Sequence, residues 1–272
     1  MRASANLREL LDEGGIEACC AALYESPAVR WFLGSELHPG GDAATRRSLE
    51  LIALRPGERL LDVGSGAGSS ALVAAEEFGA IVAGIDFGAA AVRGAQQAAD
   101  AAGLCDRVGF MVGEAGSLPF ADGEFDAVLC ECSLSTFPDK GCAVAEMRRV
   151  LRPGGRVAIS DVVTDHARLP EQLRGTVATL ACVGGALPLA GYEQLLAARG
   201  LETFAVEPLD IEAARLAERL EDRLRAGRIL DRCRSSEWCP FGFDEAIGAV
   251  RLARRAINEG ALGYAILAAR AS

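Results

Sequence analysis

Three groups of residues in this chain have the types and spacing for chemistry. The first is a glycine turn, Gly64-Ser65-Gly66-Ala67-Gly68, introduced by Asp62. Glycines at alternate positions allow unusual backbone angles and close approach of a ligand. A helix start behind such a turn offers free N–H groups to a polar ligand. The second is Asp86, about 20 residues beyond the central glycine, a separation at which a carboxylate can take both hydroxyls of a ribose. The third is sulfur. Cys130 and Cys132 share one segment and Cys182 lies in another, in a chain with nine cysteines but only two histidines, His38 and His166. Thiolates are nucleophiles and soft ligands.

The elements that must position these groups follow from the patterning. Residues 59–63 read as a buried strand and 69–78 as a helix with Ala71, Leu72, Ala75 and Phe78 on one face. A strand over 80–85 ends in Asp86, with Phe87 next, and an alanine-rich helix over 89–102 is stopped by Gly103. A strand over 107–112 delivers Gly113-Glu114-Ala115. The strand 125–129 runs into Cys130-Glu131-Cys132, and a helix follows over 139–151. Arg152-Pro153-Gly154-Gly155 turns into a strand over 156–163. Helices over 170–180 and 189–199, strands over 201–206 and 262–269, and helices over 211–229 and 244–257 complete the pattern. Ahead of it, residues 7–34 look helical, and a helix over 42–54 has Asp42 as its expected N-cap. Strand–helix alternation predicts an α/β fold, a doubly wound and mainly parallel sheet of seven strands. It carries N-terminal helices and a helical insertion before the last strand. The expected organisation is an N-terminal helical lid (1–57), a core (58–207 and 260–272) and a helical cap (208–259).

Charge and composition exclude several classes. A net charge of −10 disfavours nucleic acid, which needs a positive field. The local basic cluster of Arg251, Arg254 and Arg255 reads as a solvated helix face. No stretch looks like a membrane span. Glu9, Asp12 and Glu13 interrupt any apolar leader, so a cytoplasmic location is expected. An odd number of cysteines in that compartment argues against a disulfide framework. With no paired Cys-x-x-Cys knuckles, a structural zinc site is not expected. Cys105, Cys142 and Cys233 read as structural thiols.

Asp62-x-Gly64-x-Gly66-x-Gly68 with Asp86 downstream resembles the first motif and the ribose acid of the class I S-adenosylmethionine-dependent methyltransferases. The Leu151-Arg152-Pro153-Gly154-Gly155 turn is a hallmark of the same family, and the resemblance covers about residues 58–163. It implies a Rossmann-like methyltransferase fold and S-adenosyl-L-methionine as cofactor. Asp62, Gly64, Ser65, Gly66, Asp86, Phe87, Glu114, Ala115 and Cys130 would bind that cofactor. Glu114 stands where the family more often has Asp, in the role of accepting from the adenine amino group. His38 is either turn chemistry or a contact to the cofactor's methionine end or the substrate.

The acceptor is read from the loop after the fourth strand. Cys130-Glu131-Cys132-Ser133-Leu134-Ser135-Thr136-Phe137-Pro138-Asp139-Lys140 resembles a segment of the arsenite methyltransferase family, with that family's cysteine on Cys132. Cys182-Val183-Gly184-Gly185-Ala186-Leu187 is similar to its second cysteine segment, placing that residue on Cys182. The resemblance implies Cys132 and Cys182 as catalytic thiolates that hold trivalent arsenic, whose lone pair needs no general base. Cys239, Cys19 or Cys20 would be a third ligand, although the surroundings of Cys19 and Cys20 and the C-terminal segment depart from the family's pattern. An external thiol could equally serve, with the substrate arriving as a glutathione conjugate. Thioredoxin or glutathione would be the thiol reductant, and a nearby cationic cofactor should lower thiol pKa values. Antimony, selenium or mercury are related thiophilic acceptors. Two other readings stay open. One is a methyltransferase for an organic small molecule, with Cys132 and Cys182 lining the pocket and His38 or Glu131 as base. The other is a non-catalytic cofactor-binding or metalloid-sensing module.

Overall fold

The computed structural model describes residues 38–174, 182–234 and 242–272, with the side chains of 230–234 outside the description. Helix α1 (Gly41–Leu51) precedes a β/α series. This comprises β1 (Arg59–Val63), α2 (Ser69–Phe78), β2 (Ile81–Asp86), α3 (Ala89–Ala101), β3 (Val108–Val112), β4 (Phe125–Glu131), α4 (Lys140–Val150) and β5 (Leu151–Thr164). Then come α5 (Leu189–Ala197), β6 (Leu201–Pro208), α6 (Asp210–Arg234), α7 (Phe243–Asn258) and β7 (Leu262–Ala271). The seven strands form one sheet in the order β3-β2-β1-β4-β5-β7-β6. Only β7 runs against its neighbours, pairing antiparallel with β5 and β6. The predicted doubly wound sheet is therefore the observed one, and among the described residues no helix is long and apolar enough to cross a membrane.

The pleat sorts residues onto two faces. Leu61, Val128, Cys130, Ile159 and Leu267 face one core cluster, which includes Val144 and Met147 of α4 and Tyr192 and Leu196 of α5. Their neighbours Leu60, Leu129, Ala158 and Ala268 face the other, with Leu49 of α1 and Ala71 and Ala74 of α2. Alternation continues toward the carboxyl ends of the strands, where apolar residues give way to Glu131, Ser160 and Asp161, all buried. Chemistry thus begins where the core ends, at the edge where open α/β sheets bind ligands.

Several local expectations are corrected. Asp42 does not cap α1; Gly40 does so in a left-handed conformation, and Asp42 sits in the first turn. Asp139, expected inside α4, is its cap, accepting from Cys142 N at 2.8 Å. Where the helix expected over 170–180 would begin, the described residues form a short 3-10 turn, Glu171–Leu173, and the rest of that expectation falls on residues 175–181, which lie outside the described part. Cys105 and Cys142 are exposed rather than buried structural thiols, and the Cys233 side chain lies outside the description. The lid expectation concerns mainly residues that are not described, while α1 itself packs into the core through Leu49 and Ile52.

Helices α6 and α7 pack together and both contact β7. Arg251 and Arg254 of the basic cluster, while remaining solvated, also form part of their fastener. Glu221, only 1% exposed, is 2.6 Å from both Arg225 Nη2 and Arg251 Nε and 3.2 Å from Arg254 Nη1. These guanidiniums hold its carboxyl below the usual range, the hydrogen bond from Arg251 most of all. Replacing Glu221 by Gln leaves the arginines without their shared anion and should cost about 1–3 kcal/mol. Hydrogen exchange should then quicken in 210–258 while the β1–β5 amides stay protected.

Candidate active site

The glycine turn follows β1. Gly64 has φ +77°, and a Cβ there would overlap the Ser133 side chain, so only glycine fits between the turn and the loop after β4. Gly64 N and Ser65 N both donate to Ile85 O, at 2.8 and 3.0 Å, which ties the turn to β2. Asp86, at the end of β2, accepts from Gly66 N and from Gly88 N, each at 2.8 Å. One lone pair on each carboxylate oxygen is left, enough for a pair of hydroxyls. Phe87 beside it is 42% exposed, and Glu114 is exposed beyond β3 with Ala115 buried under it.

Two buried polar atoms at the turn lack partners: Asp62 Oδ2 and Ser65 Oγ. Burial, then the charges of Glu131 and Asp86, push the Asp62 carboxyl well above the usual range. Buried polar groups are normally satisfied, so a donor or cation delivered by a ligand would complete this floor. A sulfonium- and ammonium-bearing cofactor fits such a set. His38 is near the same region, with Nε2 3.8 Å from Glu131 Oε2. Cys130 is fully buried in the core cluster against α4, and presents no surface to a ligand.

The two cysteines singled out from separate segments meet. Cys132 Sγ lies 3.8 Å from Cys182 Sγ, and the Cys182 thiol also donates to Cys132 O at 3.5 Å. Both take left-handed backbone angles, φ +51° for Cys132 and +64° for Cys182. The angle at Cys132 breaks the pleat. It packs with Tyr264, Ile266, Ala44 and Leu209, away from the cluster that holds Cys130. Cys132 N donates to Ser160 O at 2.7 Å. The hydrogen bond to Cys182 pushes the Cys132 thiol well above its ordinary pKa, followed by burial and nearby Asp161, while the Tyr264 hydroxyl pulls it down. The protein by itself thus favours the neutral thiol at Cys132.

The Cys182 loop is seated on the Cys132 loop. A Cβ on Gly185 would overlap the Ser135 carbonyl oxygen. Ser135 N donates to Asp161 Oδ2 at 2.7 Å, and Thr164 N donates to Leu187 O at 3.1 Å. Asp161 is fully buried; burial raises its carboxyl to about 6 against the opposing donors of Ser135 and Val162 and the charge of Lys140. Cys239, Cys19 and Cys20 lie outside the described residues. Among those described, no group of three or more His, Cys, Asp or Glu could hold a metal ion.

Sequence reasoning missed Tyr264, Ser160 and Asp161 as neighbours of the thiols. The last two interrupt an otherwise apolar strand, which is a usable signal; Tyr264 carries none, because it arrives through the insertion of β7 between β5 and β6.

Residues 54–213 match the family described as "Methyltransferase domain". The chain belongs to the class I S-adenosylmethionine-dependent methyltransferases. Within that methyltransferase family, an arsenite methyltransferase of Halobacterium salinarum is 36% identical over 211 residues, covering 74% of this chain and 53% of that protein. A 27-O-demethylrifamycin SV methyltransferase of Amycolatopsis mediterranei is 32% identical over 239 residues, covering 83% and 82%. Among solved structures, the [4+2]-cyclase SpnF superposes with a TM-score of 0.75 at 27% identity, over 91% of this chain and 92% of that one. The chain spans 53–62% of the length of the first curated relatives it matches.

Two outcomes follow from this geometry. Gly185→Ala should force the two loops apart and cost about 1–3 kcal/mol. Mild oxidation should then form the Cys132–Cys182 disulfide at least about tenfold more slowly than in the unaltered protein, read by thiol counting. Asp161 has a second signature. An acid raised in the folded state binds its proton there while the unfolded chain has already lost it. Stability therefore falls as pH rises from about 4 to about 6 and is level above. Asp161→Asn should flatten that fall in urea titrations compared pH by pH with the unaltered protein.

Proposed function

We propose that this methyltransferase acts on trivalent arsenic held between Cys132 and Cys182. The observation that carries the reading is the 3.8 Å separation of two thiols from distant segments at the sheet's carboxyl edge. At thiolate–metal distances of about 2.3 Å, two sulfurs so spaced subtend about 110° at a bound centre, a natural angle for a soft, thiophilic element. Two relatives named arsenite methyltransferase, at 36% and 34% identity, support it.

S-adenosylmethionine, when bound, supplies a methyl group already activated on a sulfonium. The glycine turn with Gly64, Ser65 and Gly66, and Asp86 on the ribose, would hold it; Phe87, Glu114 and Ala115 would flank the adenine, and Asp62 and His38 the methionine end. The chain's task is then to present the acceptor in line. Cys132 and Cys182 supply the sulfurs and leave the arsenic lone pair free. As that pair forms the arsenic–carbon bond, the methyl–sulfur bond breaks and its electrons stay on the departing sulfur. Arsenic passes from the trivalent to the pentavalent state, so its return requires two electrons from a thiol reductant such as glutathione or thioredoxin. Glutathione could also deliver the arsenic as a conjugate, and Cys239, Cys19 or Cys20 could supply a third sulfur. Thiols so close need a reducing compartment to stay reduced, which fits the cytoplasm. Residues 1–57 as lid and 208–259 as cap fit the packing of Ala44, Leu209 and Ala213 in the cluster that borders Cys132.

A second reading has one observation in its favour: the rifamycin-modifying relative is matched over 82% of its length, against 53% for the halobacterial arsenite enzyme. The acceptor would then be an organic hydroxyl, with the His38–Glu131 pair as base. Cofactor binding without turnover of any acceptor would point instead to a sensing module.

Titration with arsenite should consume two free thiols in the unaltered protein. Cys132→Ser and Cys182→Ser should each abolish arsenite binding and methylation while cofactor affinity stays within about twofold. An organic acceptor turned over equally well by both variants would decide for the second reading. The proton balance gives an independent check. Neutral arsenous acid exchanges hydroxide for thiol, each thiol proton leaving in water, so its affinity should be flat between about pH 6 and 8. Cadmium binding to the same thiols releases protons and should strengthen steadily over that range.

A further inference from the structure

Glu131 closes β4 one residue before Cys132 and is 8% exposed. Hydroxyls from three elements reach its carboxylate. Thr45 Oγ1 of α1 donates to Oε2 at 2.8 Å and Ser70 Oγ of α2 donates to the same oxygen at 2.7 Å. Ser48 Oγ of α1 donates to Oε1 at 3.2 Å and Ser160 Oγ of β5 at 3.3 Å. Among the described residues, the only side chain ion-paired with it is a neutral-or-charged imidazole, His38, at 3.8 Å, and no Lys or Arg pairs with it. A carboxylate has lone pairs for all four hydroxyls, so the four donors can together solvate the anion in place of water. Burying an anion among neutral donors is costly unless a counter-charge visits.

The position says which counter-charge. Ser70 is the second residue of α2, directly behind the glycine turn. Asp62 on the floor of that turn, with one oxygen unpartnered, is under the field of both Glu131 and Asp86. Three acids therefore surround the region that the proposed cofactor would fill. That cofactor is a sulfonium cation before transfer and a neutral thioether after it.

We infer that Glu131 is a fixed anion that sets the pocket's preference for the cationic methyl donor over its neutral demethylated product. This rests on S-adenosylmethionine as the bound donor. In a water-poor site the attraction between the two charges is weakly screened, so it survives physiological salt. The neutral product gains nothing from Glu131 and is released the more readily. The hydroxyls of Thr45, Ser48, Ser70 and Ser160 are the positioning groups that keep the charge in place.

Calorimetry of S-adenosylmethionine and S-adenosylhomocysteine binding tests it without any acceptor. In Glu131→Gln the four hydroxyls can rotate to accept from the carboxamide, so the pocket keeps its shape. The ratio of the two affinities should shift against S-adenosylmethionine by about tenfold, with S-adenosylhomocysteine affinity within about twofold of the unaltered protein. Should the single variant lose its fold by circular dichroism, Glu131→Gln with Ser48→Ala makes room for the amide and should show the same shift. An unchanged ratio in a folded variant, whether both affinities fall together or neither moves, overturns the inference and leaves the donor assignment standing. If the unaltered protein binds neither ligand, the donor assignment fails and this inference with it.

Discussion

One carbonyl oxygen, that of Ser160 on β5, organises the candidate site. It accepts from Cys132 N at 2.7 Å and from the Tyr264 hydroxyl at 3.1 Å, and so joins the end of β4 to β7 across the strand between them. The same residue's hydroxyl lies 3.1 Å from the Tyr264 oxygen and donates to Glu131. One residue further, Asp161 points to the opposite face and holds the turn that supports the Cys182 loop through Ser135. Because side chains alternate along a strand, two adjacent residues of β5 brace the thiol pair from two sides. A one-residue slip in the β4–β5 register would exchange those roles and dismantle the arrangement.

That bracing is what makes the backbone at the thiols tenable. Left-handed angles at non-glycine residues cost of the order of 1–3 kcal/mol each and persist only where the surroundings over-determine them. At Cys132 the Ser160 carbonyl and the packing against Tyr264 supply the constraint. At Cys182 it is the contact of Gly185 with the Ser135 carbonyl, together with the bond from Thr164 N to Leu187 O. The strain turns Cys132 off the face where Cys130 is buried. Without it, the two cysteines of the Cys130-Glu131-Cys132 segment would share one face, and neither would reach Cys182.

The core of the fold was legible because strong local signals agreed with it. Residues 69–78 carry a helix period and a glycine turn before it, and the helix observed has those bounds. Residues 60–63 are all buried, apolar but for Asp62, as a strand covered on both faces should be. The meeting of Cys132 and Cys182 was legible only through resemblance, since nothing in local patterning says that two loops 50 residues apart converge. The cage around Glu131 was not legible at all. Thr45, Ser48, Ser70 and Ser160 are spread over three elements, and each alone reads as an ordinary small polar residue. Asp42 misled for a related reason: an N-cap prefers Asp, yet here the chain enters α1 through two left-handed glycines, Gly40 and Gly41, and helix entry is set by backbone path.

The relatives divide between metalloid and organic acceptors on one scaffold, and the fold also carries a cyclase. A shared fold therefore fixes the donor end more firmly than the acceptor end. The physical division in this chain falls in the same place. Glycine turn, Asp62 and Asp86 are built on β1, β2 and the start of α2, whose geometry the parallel sheet dictates. The thiols stand on two strained loops that the sheet merely permits, bordered by α1, α6 and β7. Glu131 lies on the boundary between the two, hydrogen-bonded to the donor-side helix α2 through Ser70 and covalently one residue from Cys132. On the proposed roles, a change of acceptor would proceed by rebuilding those loops, while a change at Glu131 would act on both halves of the reaction at once.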